Sequence, residues 1–418
     1  MKRLLAAACA LILATAAIAA DLPTAAPETV GIGRLDRMTA YFKAETDAKR
    51  VPGAVVMLAR NGRVVYQEAF GTLDPKTGAP MRMDSIFRIY SMTKPITAVA
   101  VLMLMEEGKL RLGDPVSRFL PALKNPKVLV EATDAQGQRT SIQVPANREI
   151  TIQDLLRHTS GITYGVFGNS TVDQMMKTAG LADGLTTRFT DQQFVEQLGK
   201  LPLLFQPGTA WQYGRSTDVL LAVVQAVSGQ RADVFYQDRI FAPLGMTDTY
   251  FNVPAEKRAR VAQPGPDPDT GNTATLTDVS QTRIFLGGGE GLLSTASDYM
   301  RFALMLANGG EANGVRLLSR KTVALMSADH IGPTLAQGAN YLPGPGYGFG
   351  LTVAVRTQAG MAGVPGSVGE YNWSGYAGTR FWVDPQERLV PIMMIQSPTQ
   401  SRVYGGAFRA LVYQSIVD

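Results

Sequence analysis

Ser91 and Lys94 stand three residues apart in Phe87-Arg88-Ile89-Tyr90-Ser91-Met92-Thr93-Lys94-Pro95, where a short loop enters an apolar run reaching Met105. A serine hydroxyl is a weak nucleophile until a neighbouring base takes its proton. Residues three apart on a helix share a face, so this spacing holds the lysine beside the hydroxyl. A helix start also presents free backbone N–H groups and partial positive charge, which suit a developing oxyanion. Pro95 fits the first turn, where its missing N–H costs little. The same residues have a plainer reading. Serine is a preferred helix N-cap, and a lysine one turn on is unremarkable. Spacing alone leaves both open.

The scarcity of histidine narrows the chemistry. There are two, His158 and His330. A Ser-His-Asp triad would have to use one of them, and a His-rich metal site is nearly excluded. The Gly-x-Ser-x-Gly setting of α/β-hydrolases does not occur. A serine hydrolase built from this chain would more readily use Lys and Tyr, with no metal or cofactor. His158 reads as structural, and His330 receives no role. The Gly287–Gly291 run is followed by no Gly-Lys-Ser/Thr, so it reads as a tight turn rather than a phosphate loop.

The elements that must position Ser91 follow from periodicity. Leu35–Lys49 has helical apolar spacing. Gly53–Arg60 and Arg63–Phe70 are strand-like runs around Asn61-Gly62, a strong hairpin signal. Ser91–Glu107 reads as a helix ended at Gly108. A small hairpin is expected for Val128–Val130 and Ser141–Val144 around Gly137, then a short helix over Thr151–His158. Residues 162–210 are polar and Gly-rich, with one helix near Asp191–Leu198. Ser216–Val227 and Ser297–Ala307 read as helices, with a loop over Pro264–Gly271. Gly346–Arg356, Gly378–Val383 and Leu389–Ile395 are strand-like, and Val403–Ile416 closes the chain as a helix. Strands at both ends with helices between predict an α+β fold. The expected division is a discontinuous α/β domain from residues 21–120 and 290–418, and a mostly helical domain from 121–289.

Residues 1–20 read as a secretory signal, with Lys2 and Arg3 before the apolar run Leu4–Ile18 and small residues at Ala17-Ile18-Ala19. The run is short for a bilayer span. The expectation is a secreted or periplasmic protein with no stable membrane insertion after cleavage. The only cysteine, Cys9, lies in this leader, so the mature chain would lack thiols and disulfides. Loss of Lys2 and Arg3 would reduce the formal charge from +5 to +3. No basic block suggests nucleic acid as a partner. The sequence assigns no oligomeric state.

Six segments in order resemble the serine β-lactamase and penicillin-binding superfamily, and most closely its family VIII carboxylesterases. They are Phe87–Pro95, Ile150–Gly161 (ITIQDLLRHTSG), Pro207–Tyr213 (PGTAWQY), Pro243–Thr249 (PLGMTDT), Gly289–Asp298 (GEGLLSTASD) and Gly378–Pro385 (GTRFWVDP). Ser-x-x-Lys is itself a known motif of these enzymes. The resemblance implies a β-lactamase/transpeptidase-like fold: an antiparallel sheet flanked by terminal helices, with a mostly helical insert. It implies Ser91 as nucleophile, Lys94 as its partner and Tyr213 as the tyrosine that helps move the proton. It leaves open whether Lys94 or Tyr213 is the base. It places the oxyanion donors at the Ser91 and Tyr376 backbone N–H groups.

Two departures bear on substrate. Tyr213-Gly214-Arg215 replaces the Tyr-x-Asn of β-lactamases. Asn372-Trp373-Ser374-Gly375 stands where they have Lys-Thr-Gly, so Trp373 and Gly375 replace a carboxylate-binding lysine motif with the Trp-x-Gly of the esterases. An apolar indole suits a neutral ester. The leading reading is an exported carboxylesterase acting on a small-molecule, short-chain acyl ester. The alternatives are a β-lactamase or D-Ala-D-Ala carboxypeptidase, with Arg215 or Arg380 as the missing cation, and a non-catalytic penicillin-binding sensor. Weak β-lactam turnover is compatible with the leading reading.

Overall fold

The structure, a computed structural model, describes residues 21–183, 187–333, 335–337 and 341–418; the expected signal segment lies outside the described residues. The amphipathic stretch after residue 35 forms helix α1 (Asp36–Asp47), burying Met38 and Phe42. Strands β1 (Gly53–Arg60) and β2 (Arg63–Asp74) pair antiparallel across Asn61-Gly62, whose φ angles of 54° and 75° give the left-handed turn this dipeptide favours. Strand β3 (Ala79–Pro80) extends the edge.

Helix α2 (Thr93–Glu106) follows, buried at every residue from Thr93 to Leu104. A helix apolar on all sides belongs inside a core. The middle of the chain supplies α3 (Ile152–Leu156), α4 (Thr171–Thr178), α5 (Asp191–Leu198) and α6 (Ser216–Ser228). Then come α7 (Ala296–Ala307), strands β4 (Tyr347–Phe349), β5 (Ala354–Arg356), β6 (Tyr371–Ser374), β7 (Arg380–Val383) and β8 (Leu389–Met394), and helix α8 (Ser401–Tyr413).

The main sheet runs β4-β5-β6-β7-β8-β1-β2-β3, antiparallel throughout. The two ends of the chain meet where β8 pairs with β1, Val55 opposite Met394. All eight residues of β1 are buried, and alternation along it explains why. Ala54, Val56 and Leu58 join Met38, Phe42, Phe408 and Val412 under α1 and α8. Val55, Met57 and Ala59 face the larger core that holds α2, α6 and α7. The sheet is therefore the middle layer of three.

Three expectations change. Gly346–Arg356 is not one strand but β4 and β5 folded back on each other. Its alternating Tyr347, Phe349, Leu351, Val353 and Val355 look continuous. Thr352, at φ 72°, reverses the chain, and Gly350 lies so close to the Met326 carbonyl that a Cβ would sit 2.3 Å from it. Residues 162–210 contain a second helix, α4, buried through Val172 and Met176. Its readable signal is the Ser170–Asp173 capping box, the same device that starts α3 at Thr151–Asp154 and α5 at Thr190–Gln193. Short helices at Ala232–Tyr236 and Arg320–Met326 were also not anticipated. The small hairpin forms as expected, Lys127–Thr133 against Arg139–Pro145.

Asp154 ties the start of α3 together. Its buried carboxylate accepts Arg148 at 2.5 and 3.0 Å, the Thr151 backbone at 3.0 Å and the Thr159 hydroxyl at 2.8 Å. Burial would raise its pKa, but the Arg148 guanidinium and the Thr151 and Thr159 bonds hold it at about 2. The unfolded carboxyl titrates near 3.9, so the folded state binds the proton less tightly. Its stabilising contribution is complete above about pH 5 and is lost as pH falls through 4 toward 2. Asp154→Asn is expected to cost about 3–5 kcal/mol in urea unfolding at pH 7 and to flatten this acid limb. An unchanged acid limb in the variant would contradict the assignment.

Candidate active site

Ser91 lies in a 3-10 turn, Tyr90–Met92, just before α2. The residue in the N-cap position of α2 is Met92, with no side-chain cap bond. The Ser91 hydroxyl oxygen instead accepts from the Tyr213 hydroxyl at 2.8 Å and from Lys94 Nζ at 3.2 Å. The helix-cap reading therefore fails on geometry. The turn is strained: Tyr90 has φ 42°, a region a bulky side chain seldom adopts, at a cost of about 1–3 kcal/mol. Side chains from three places hold it. Tyr299 on α7 donates to the Met92 carbonyl at 2.9 Å, Gln396 to that of Arg88 at 3.3 Å, and Thr379 to that of Ile89 at 3.4 Å.

Lys94 is completely buried. Besides Ser91, its Nζ donates to the Gly289 carbonyl at 2.7 Å and to the Tyr164 hydroxyl at 3.3 Å, and it lies 4.7 Å from the Tyr213 ring centre. Gly289 belongs to the tight turn anticipated at Gly287–Gly291. The Gly291 N–H bonds the Gly287 carbonyl at 2.8 Å, and a Cβ on Gly291 would lie 1.6 Å from the Leu286 oxygen. The Gly289 N–H in turn donates to Asp218 Oδ1 at 2.8 Å. A carboxylate on α6 thus fixes the peptide whose carbonyl receives the lysine.

Tyr213 stands just before α6, its ring packed by His158 at 4.9 Å, Tyr164 at 5.3 Å and Trp373 at 5.6 Å. Rings on several sides fix where the phenol points. Tyr164 and Asp218 are the site residues that sequence reasoning missed. Asp218 sits in the first turn of a recognisable helix, but nothing marks it as facing the lysine's partner. Tyr164 carries no local signal beyond its ring. Its hydroxyl is pushed well above the ordinary tyrosine range by burial first and the neighbouring Tyr213 next, so it stays protonated.

His158 is also buried and is kept neutral by burial and by the charge of Lys94. It supports Tyr213 through ring packing and through its carbonyl, which accepts the Gln212 N–H at 2.9 Å. His330 bonds the Leu325 carbonyl at 2.7 Å and Gln153 at 3.2 Å. Ser91 bonds neither histidine.

The end of β6 abuts the Ser91 turn. The Gly375 N–H donates to the Thr379 carbonyl at 2.7 Å, and a Cβ there would lie 2.3 Å from the Ile89 oxygen. Only glycine allows that approach. Tyr376 follows, more than half exposed, its ring edge-on to Tyr90 at 5.6 Å. Trp373 is 6% exposed and packs between Tyr213 and Phe349. It stands behind Tyr213, and the wall of the open cavity is formed by other residues. That cavity, about 820 Å³, is lined by Ser91, Tyr213, Tyr164, Phe167 and Tyr376 among others.

The two candidate cations are committed elsewhere. Arg215 is buried, paired with Asp218 and Glu290 at 3.3 Å each, and donates to the Ala182 carbonyl at 2.7 Å. Arg380 donates to the Ser401 carbonyl at 3.0 Å, with its guanidinium against the backbone of Gly405 on α8. Among the described residues no cluster of His, Cys, Asp or Glu could hold a metal ion, and no helix is long and apolar enough to cross a membrane.

Residues 38–414 match the family model described as Beta-lactamase. Protein Rv1367c of Mycobacterium tuberculosis is 34% identical over 375 residues, covering 87% of this chain and 90% of that protein. Esterase EstB of Burkholderia gladioli is 32% identical over 369 residues, covering 83% of this chain and 86% of its own length. The solved structure of EstCE1, described as a hydrolase with promiscuous acyltransferase activity, superposes with a TM-score of 0.77 at 26% identity, over 90% of this chain and 98% of that one. The strand-forming ends, the buried lysine beside Ser91 and these matches together make the chain a member of the beta-lactamase family, in its esterase-like part.

Proposed function

We propose that this protein is a serine esterase for small, short-chain acyl esters. The observation that carries the reading is the double hold on Ser91, by Tyr213 at 2.8 Å and Lys94 at 3.2 Å. Ser91 Oγ attacks the ester carbonyl while its proton passes into the Lys94–Tyr213 pair. The tetrahedral oxyanion is received by the Ser91 and Tyr376 backbone N–H groups, donors of a kind that contribute roughly 10²–10³ each in rate. Return of the proton expels the alcohol and leaves an acyl-Ser91. Water, deprotonated by the same pair, then releases the acid. Gly375 lets the Tyr376 turn approach Ser91, and Trp373 backs Tyr213. The similarity to proteins named esterase and hydrolase supports the same chemistry.

The β-lactam and D-Ala-D-Ala readings require a cation for a substrate carboxylate. Arg215 is already matched by two carboxylates and Arg380 is turned toward α8. That favours the ester. The presence of Ser91, Lys94 and Tyr213 in one hydrogen-bonded cluster argues against a non-catalytic sensor. The basic-then-apolar leader supports export to the periplasm or medium.

Ser91→Ala is expected to lower hydrolysis of p-nitrophenyl butyrate by about 10⁴-fold or more; unchanged turnover would overturn the proposal. Tyr213→Phe removes the closer partner of Ser91 and is expected to lower kcat about 10²–10⁴-fold. Tyr164→Phe removes one acceptor of Lys94 and should cost only about 3–10-fold. If the two phenylalanine variants rank in the opposite order by steady-state kinetics, the roles are reversed. N-terminal sequencing of the exported protein is expected to begin near Asp21; a product starting at Met1 would contradict export by cleavage.

A further inference from the structure

We infer that the cavity beside Ser91 selects esters carrying a positive charge over neutral isosteres, and rejects those carrying a negative one. The inference rests on the esterase reading above and names the substrate class for that site. It rests on which charged groups at the cavity are buried and which are exposed. Lys94 has its three donors directed at Gly289, Ser91 and Tyr164. Arg215 is matched by Asp218 and Glu290. Two more arginines lie buried behind the wall. Arg88 donates to the Thr277 and Ala262 carbonyls at 2.7 and 2.9 Å, and Arg283 donates to the Phe285 carbonyl at 3.2 Å and lies 3.8 Å from Glu290. Among the described residues these four cations are all buried, so none is presented on the open surface of the cavity to an anionic substrate.

Two carboxylates at the cavity are placed differently. Asp183 and Asp278 line the same cavity and are exposed, and the charge of the buried Arg88 acts on Asp278 from behind the wall. Asp278 is held ionised by the Ser280 backbone and hydroxyl at 2.9 Å each. Aromatic rings share this wall: Tyr90, Phe167 and Tyr376, the last two more than half exposed. Ring faces attract cations, and ammonium groups with bulky methyl shells most readily, because such groups are weakly hydrated. Ring faces and exposed carboxylates around Ser91 favour an alkylammonium on the acyl or alcohol part of the ester. Attraction of a cation to the exposed carboxylates weakens with salt.

Three thioacetates of similar size test this on the full chain, with released thiol as the readout: acetylthiocholine, S-(3,3-dimethylbutyl) thioacetate and S-acetyl-3-mercaptopropionate. The expected kcat/KM order is cationic, neutral, anionic. The first step should be about ten-fold at low salt and narrow as salt is added. In the double variant Asp183→Asn/Asp278→Asn the cationic-to-neutral ratio should fall toward one. A neutral or anionic thioester turned over as fast as the cationic one, or a ratio unchanged in the double variant, would overturn the inference. Calorimetric titration with phenyltrimethylammonium separates this from the esterase reading. If no thioester is cleaved but the cation binds and the double variant loses it, the hydrolase reading fails while charge selection stands. No binding by the native chain would overturn charge selection itself.

Discussion

The structure turns on one interaction, the bond from the buried Lys94 ammonium to the Gly289 carbonyl. Taking a lysine out of water is costly unless its donors are satisfied. Gly289 meets that need with an acceptor that cannot itself move a proton. This leaves Ser91 and Tyr164 as the two hydroxyl partners and fixes the lysine between them. Much of the surrounding architecture keeps that carbonyl in place. The Gly287–Gly291 turn is too tight for a side chain at Gly291, and Asp218 grips the Gly289 N–H from α6. Because α2 brings the lysine and α6 brings the carboxylate, packing of these two apolar helices in one core sets the geometry of the site.

The position of Ser91 itself comes from a different part of the chain. The central sheet joins strands from both ends of the sequence, and its β6–β7 end leans on the Ser91 turn through Gly375 and Thr379. The positive φ at Tyr90 stores strain that a free loop would relax. Tyr299, Gln396 and Thr379 bind three successive parts of the turn and prevent this. The serine is thus preorganised by the sheet layer and the lysine by the helical layer. The site exists where the layers meet, and Tyr213 spans the gap from the start of α6.

The ordered motifs made the fold class and the terminal sheet legible in the sequence, and the folded chain brings Ser91, Lys94 and Tyr213 within hydrogen-bond reach of one another through Ser91. What stayed hidden depends on contacts distant in sequence. Tyr164 reaches Lys94 across seventy positions, and Asp218 reaches Gly289 across seventy-one. Nothing local announces either. Trp373 shows the same limit from the other side: its place in the motif was readable, but its burial behind Tyr213 follows from the packing of Phe349. The split of Gly346–Arg356 into two strands escaped because side-chain alternation survives a tight reversal.

The most direct test of the account is to react the folded protein with an alkyl fluorophosphonate and map the adduct by peptide mass spectrometry. The account predicts one phosphonyl group, on Ser91, with labelling abolished by denaturation and strongly slowed in Tyr213→Phe. An adduct on another serine, or folded protein that remains unlabelled while a control serine esterase reacts, would contradict it.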